Sequence, residues 1–142
     1  MTQEEKQLLI RDLCARLPYG VKVTYNISGN HFGTISKICE YKANYNIFKV
    51  EDGYNVGGYS IKPYLRPMSS MTDKEKDELY TAMDWYGEID EAGNVYTKGQ
   101  EKVYRETFYE YTDWLNAHHF DYHGLIPMGL ALEAPEGMYK AE

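Results

Sequence analysis

The feature that most constrains this chain is a change of hydrophobic period around Pro18 and Gly20. Before it, Leu9, Leu13 and Leu17, with Ile10 and Cys14, recur at the spacing of one helical face. After it, residues 21–27 alternate apolar and polar side chains, the pattern of a half-buried strand. An amphipathic helix followed at once by a sheet is therefore expected. Thr2 and Glu5 form a capping box ahead of the helix, placing it over 3–16.

Further strands are expected at 32–39, 45–50, 54–56 and 59–61. Tight turns are expected at 28–31 and 51–53, where Gly and Asn tolerate positive φ. Short strands joined by tight turns favour a small antiparallel SH3-like barrel or curled sheet. Residues 61–71 read as a Pro-punctuated connector. A second capping box, Thr72 and Glu75, opens a helix to about Tyr86, with a hairpin around Ala92-Gly93-Asn94 after it. The longest helix is expected over 100–119, Tyr104, Phe108, Tyr111, Leu115 and His118 sharing one face. The class is α+β: an N-terminal helix, a β unit and a helical C-terminal half. Units 1–67 and 68–142 are two small domains or one shared core.

At 142 residues the chain buries roughly two-thirds of its unfolded surface, enough to fold without staples. Cys14 and Cys39 fit no CxxC or zinc spacing. The N-terminus is charged and amphipathic, and no segment approaches the roughly 18 apolar residues of a membrane span. A cytoplasmic protein with reduced thiols, no cofactor and no membrane contact is expected. Charge is uneven. Residues 1–70 carry nine Lys/Arg against six Asp/Glu, and residues 71–142 six against sixteen. An acidic half of that kind argues against nucleic acid as a partner.

Three of the four histidines fall within 118–123. His119 and His123 stand four apart, the helical spacing of a ligand pair, and Asp113 and His118 complete the metal alternative. No HExxH glutamate accompanies them, and a histidine pair at a helix C-terminus also complements the helix dipole. The structural reading therefore leads, with a core histidine at the in-phase His118. No GxSxG, Walker loop or GxGxxG is present.

Tyrosine occurs 15 times. Tyr41, Tyr45, Tyr54, Tyr59 and Tyr64 decorate the β unit with Arg66 and several lysines among them, which gives the candidate binding surface. Tyrosine offers large contact area at low entropic cost. A protein partner is expected. An acidic inhibitor mimicking nucleic acid is one alternative, carried by the sixteen carboxylates after residue 70. A metal-dependent enzyme is the other.

The stretches 15–23 (ARLPYGVKV), 61–72 (IKPYLRPMSSMT) and 113–139 (DWLNAHHFDYHGLIPMGLALEAPEGMY) resemble an uncharacterised protein family of gut Bacteroidetes and their phages. The resemblance implies a bacterial or phage-infected cytoplasm and assigns no residue a role.

Overall fold

A computed structural model of the chain describes residues 1–26, 35–82, 87–89, 95–97 and 105–139. Helix α1 (Gln3–Arg16) begins as expected, the Thr2 hydroxyl accepting from the Glu5 N–H at 3.1 Å. It ends where Pro18 enters a single 3-10 turn and Gly20 takes a left-handed φ of 67°. Its buried face is Leu9, Asp12, Leu13 and Arg16. That face is rotated from the expected stripe: Leu17, Ile10 and Cys14 are only half-buried, and two charged residues sit at the centre.

The chain then runs through β1 (Lys22–Tyr25), β2 (Ile35–Lys42), β3 (Ile47–Val50), β4 (Asn55–Gly57) and β5 (Ile61–Leu65). Helix α2 (Asp73–Ala82), a hairpin of β6 (Gly87–Ile89) and β7 (Val95–Thr97), helix α3 (Arg105–Ala117) and β8 (Leu132–Glu133) follow. The expected turn at 28–31 and strand start at 32–34 lie outside the described residues, as do the hairpin tip at 92–94, residues 83–86 and Tyr104.

The main sheet has the order β4-β3-β2-β1-β5-β8. All pairs are antiparallel except β5 with β8. It is thus an open mixed sheet and is not closed into the SH3-like barrel that was one of the two forms expected. The far end of the chain takes the place beside β5, so β4 is left as the opposite edge and the sheet does not close on itself. Nor does the C-terminal half stay helical: among the described residues, 118–139 consist of turns and β8.

Two local departures have clear causes. The expected connector at 61–71 begins with a true strand, because Pro63 stands opposite Val23 at a level where β8 has not yet joined. There β5 is an edge, and a residue without an N–H is tolerated. In β2, Ile38 pairs with Val50 and Glu40 with Lys49, leaving Cys39 as a bulge. The bulge resets the alternation, so Ile38 and Tyr41, three apart, both turn inward.

One face of the sheet packs under α1. Leu9 and Leu13 meet Val23, Ile38, Phe48, Val50, Ile61 and Leu65, and Leu125, Leu130 and Ala131 complete the same cluster. A buried leucine contributes about 1.5–3 kcal/mol, so Leu125 and Leu130 weigh about as much in this core as Leu9 and Leu13 do. A second cluster gathers Met71, Leu79, Tyr111, Leu115 and Phe120. Among the described residues no helix is long and apolar enough to cross a membrane.

Candidate functional site

The candidate tyrosines divide into two groups. Tyr41 lies on the inner side of β2, its ring 4.7 Å from that of Phe48, and its hydroxyl donates to Asn46 Oδ1 at 2.7 Å. Asn46, in a left-handed turn with φ 51°, donates through Nδ2 to the Tyr59 hydroxyl at 3.3 Å. Its carbonyl accepts from Gly58 N–H at 2.8 Å. Gly58 has no room for a side chain: a Cβ would land on Ile10 of α1 and lie 3.2 Å from both Asn46 O and Phe48. The Lys6 ammonium stands 5.1 Å above the Tyr59 ring. Between these residues Tyr45 projects into solvent, 75% exposed.

Tyr54 and Tyr59 bracket β4, with exposures of 56% and 41%. Tyr54 leans on Tyr25 with ring centroids 6.4 Å apart, and the Tyr25 hydroxyl donates to Asp52 at 2.7 Å. That hydrogen bond, with some burial, pushes the Tyr25 phenol up to about 12. Tyr64 and Arg66 do not join this group. They lie on and just beyond β5, with three strands between it and β4 in the sheet. Arg66 makes a two-pronged pair with Glu75, both contacts 2.7 Å, and its guanidinium covers the Phe120 ring at 4.1 Å.

The histidine segment is likewise not brought together as a cluster. Helix α3 ends at Ala117 and His119 adopts a left-handed φ of 66°, which swings the following residues out of helical phase. His118, expected in the core, is half-buried and stacks on Trp114 at 3.9 Å. It is His119 that is buried, stacked on Tyr139 at 3.7 Å, and its Nδ1 has no hydrogen-bond partner. Burial, with the positive charges of Arg16, Arg66 and Lys22 and the neighbouring His118, lowers its pKa to about 4. Burial lowers that of His118 as well. His123 turns the other way, its Nδ1 2.7 Å from Asp12 Oδ2, and Asp113 is exposed. Among the described residues no three His, Cys, Asp or Glu side chains converge as a metal requires.

What His123 reaches is a pair that sequence reasoning missed. Asp12 and Arg16, one turn apart on α1, are both fully buried and doubly bonded at 2.7 and 3.1 Å. Arg16 Nη2 also donates to the Phe120 carbonyl at 2.6 Å. Burial alone would raise the Asp12 pKa, but the His123 hydrogen bond and the Arg16 charge outweigh it and hold the carboxyl below its ordinary range. A carboxylate beside an imidazole suits acid–base work. Here, however, the carboxylate is shared with Arg16, and among the described residues no hydroxyl or thiol hydrogen-bonds to His123. The arrangement is a buried strut between α1 and the turn after α3.

The rest of that turn is built the same way. Arg66 N–H donates to His119 O, and Asp121 N–H to Arg66 O, both at 2.8 Å, which clamps 119–121 onto the end of β5. The Asp121 carboxylate accepts from the N–H groups of Leu125 and Ile126 at 2.8 and 2.9 Å, aiming Leu125 into the core. The Tyr139 hydroxyl accepts from Lys22 N–H at 2.8 Å and donates to Tyr64 O at 2.7 Å. An Asp/Arg pair at i,i+4 spacing was the visible signal of the strut. Such a pair usually marks a solvated face.

No protein-family model, no curated protein and no solved structure matches this chain.

Proposed function

We propose that this protein is a non-catalytic binding module that engages an extended segment of a partner protein along β4, between Tyr54 and Tyr59 and beside Tyr45. The observation that carries this reading is the pairing of a free strand edge with exposed tyrosines already held in place. Strand β4 ends the sheet, and among the described residues no strand pairs with its outer side. Strand addition at such an edge draws affinity from main-chain hydrogen bonds and specificity from flanking side chains. Tyr59 is fixed by Asn46 and Lys6, so little rotamer freedom remains to be lost on binding.

The alternatives have less support. The three imidazoles of 118–123 diverge, and among the described residues no ligand set for a metal-dependent enzyme is found. Two of the sixteen carboxylates that would serve a nucleic-acid mimic are spent internally, Glu75 on Arg66 and Asp121 on backbone amides. Selection of a displayed library of random peptides on the folded protein tests the proposal. Peptides should be enriched on the native chain and lose about tenfold or more in affinity when Tyr45, Tyr54 and Tyr59 are all replaced by Ala. A library that yields no binder, or binders indifferent to the three tyrosines, would sink it.

A further inference from the structure

Away from the tyrosine end, five parts of the chain converge with Arg66 on a groove of about 590 Å³. They are the Tyr19–Gly20 turn, the sheet at Lys22 and Lys37, the first turns of α2, the end of α3 and the tail at Tyr139. The volume falls within the roughly 300–1,000 Å³ of small-ligand sites. Its charge is unlike that of the acidic chain around it. Lys22, Lys37, Lys74 and Arg66 line it, against Glu75 and Glu78. Arg66 and Glu75 neutralise one another, which leaves three lysines facing one carboxylate.

The lysines are placed at a cost. Lys22 and Lys37 stand directly opposite each other on β1 and β2, an arrangement that destabilises a sheet. Among the described residues neither is in an ion pair, nor is Lys74. Among the described residues Lys22 Nζ donates only to the Met138 carbonyl at 3.0 Å, and it lies over the Tyr139 ring. Lys37 folds back over the turn, its Nζ 3.9 Å from where a Cβ on Gly20 would stand. The buried His119 on the same wall has an unpartnered Nδ1. Like charges held side by side on the wall of a concave site are what an anion relieves.

We propose that this groove binds a small phosphate-bearing anion through Lys22, Lys37 and Lys74. A compact dianion can meet several ammonium groups at once, and each charge-assisted contact is about twice as strong as a neutral one. The site is separate from the β4 edge and stands whether or not the peptide reading does.

Amide and imidazole NMR spectra of the full chain, titrated with inorganic phosphate, pyrophosphate or adenosine monophosphate at millimolar concentration, test the assignment. At least one of the three should shift the amides of Tyr19, Lys37 and His119, and raise the His119 pKa as the anion offsets the surrounding positive charge. Tightest binding of adenosine monophosphate would identify a nucleotide-type ligand. Tightest binding of pyrophosphate or phosphate would identify an inorganic anion. Lys37→Glu and Lys74→Glu should each weaken binding by about tenfold or more. Lys74 is exposed on the first turn of α2, where a carboxylate suits the helix dipole, so that variant keeps the fold. No shift with any of the three anions, or binding indifferent to Lys74→Glu, would overturn the proposal.

Discussion

The Asp12–Arg16–His123 strut and the tyrosine end around Asn46 use polar chemistry in opposite ways. The strut takes charged groups, which ordinarily face water, and buries them to join segments more than a hundred residues apart. The tyrosine end leaves the rings of Tyr45, Tyr54 and Tyr59 exposed, and holds Tyr59 with a neutral hydrogen bond from Asn46 and the Lys6 ammonium over its ring. In this chain charge inside the molecule joins distant segments, and the aromatic rings of Tyr45, Tyr54 and Tyr59 stand exposed. Perturbing the strut should therefore cost stability, and perturbing the tyrosines should cost binding.

The largest effect is expected from Asp12→Ala, which strands the buried Arg16 guanidinium. Removing one partner of a buried ion pair costs about 3–5 kcal/mol, to be read from guanidinium unfolding curves. A loss below about 1 kcal/mol would mean that the strut is relaxed or wet, and would break the comparison.

Acid should produce the next effect. The pKa of His119 falls from 6.5 to about 4 on folding, so the unfolded chain takes up the proton first. Stability is then complete above pH 6.5 and declines as pH drops toward 4, by up to about 3 kcal/mol at 1.36 kcal/mol per unit. The lowered Asp12 pKa has the same sign but acts at lower pH, below its ordinary 3.8. His119→Asn, which tolerates the left-handed backbone, should flatten the upper part of the profile and leave the lower part. An unchanged profile would place its cause elsewhere.

Gly58→Ala sharpens the comparison from the other side. The added Cβ meets Ile10, Phe48 and Asn46 O, and overpacking of this kind costs about 1–3 kcal/mol. It should also loosen Asn46 and Tyr59, so peptide affinity should fall together with the unfolding midpoint. The smallest stability change belongs to Tyr45→Ala, within about 0.5 kcal/mol as for an ordinary surface position, while affinity for selected peptides drops. Loss of stability there would show Tyr45 to be part of the core.

The sequence carried the local parts of this fold well. Both capping boxes, the stop at Pro18 and Gly20, and the strands expected at 45–50 and 54–56 and found at 47–50 and 55–57 follow from nearest neighbours in the chain. What it did not carry depends on distant partners. The segment 61–65 is a strand because β1 and β8 accept it despite Pro63. β8 is a strand only because β5 is beside it, and the Cys39 bulge hides Tyr41 from an alternating pattern. Asp12 and Arg16 look like a solvated pair until Phe120 and His123 are brought to them. Of the candidate surface, the sequence placed five tyrosines on the β unit without telling Tyr45, Tyr54 and Tyr59, which are exposed, from the inward Tyr41. That Tyr64 and Arg66 lie across the sheet required the strand order.

The most direct test of the division between strut and surface is an amide-resolved NMR titration of the native chain with a selected peptide. The account predicts shifts concentrated at residues 45 and 54–59, with Asp12, Arg16 and 119–126 unmoved. Shifts centred on 119–126, with residues 54–59 silent, would contradict it and make the buried strut part of the binding site.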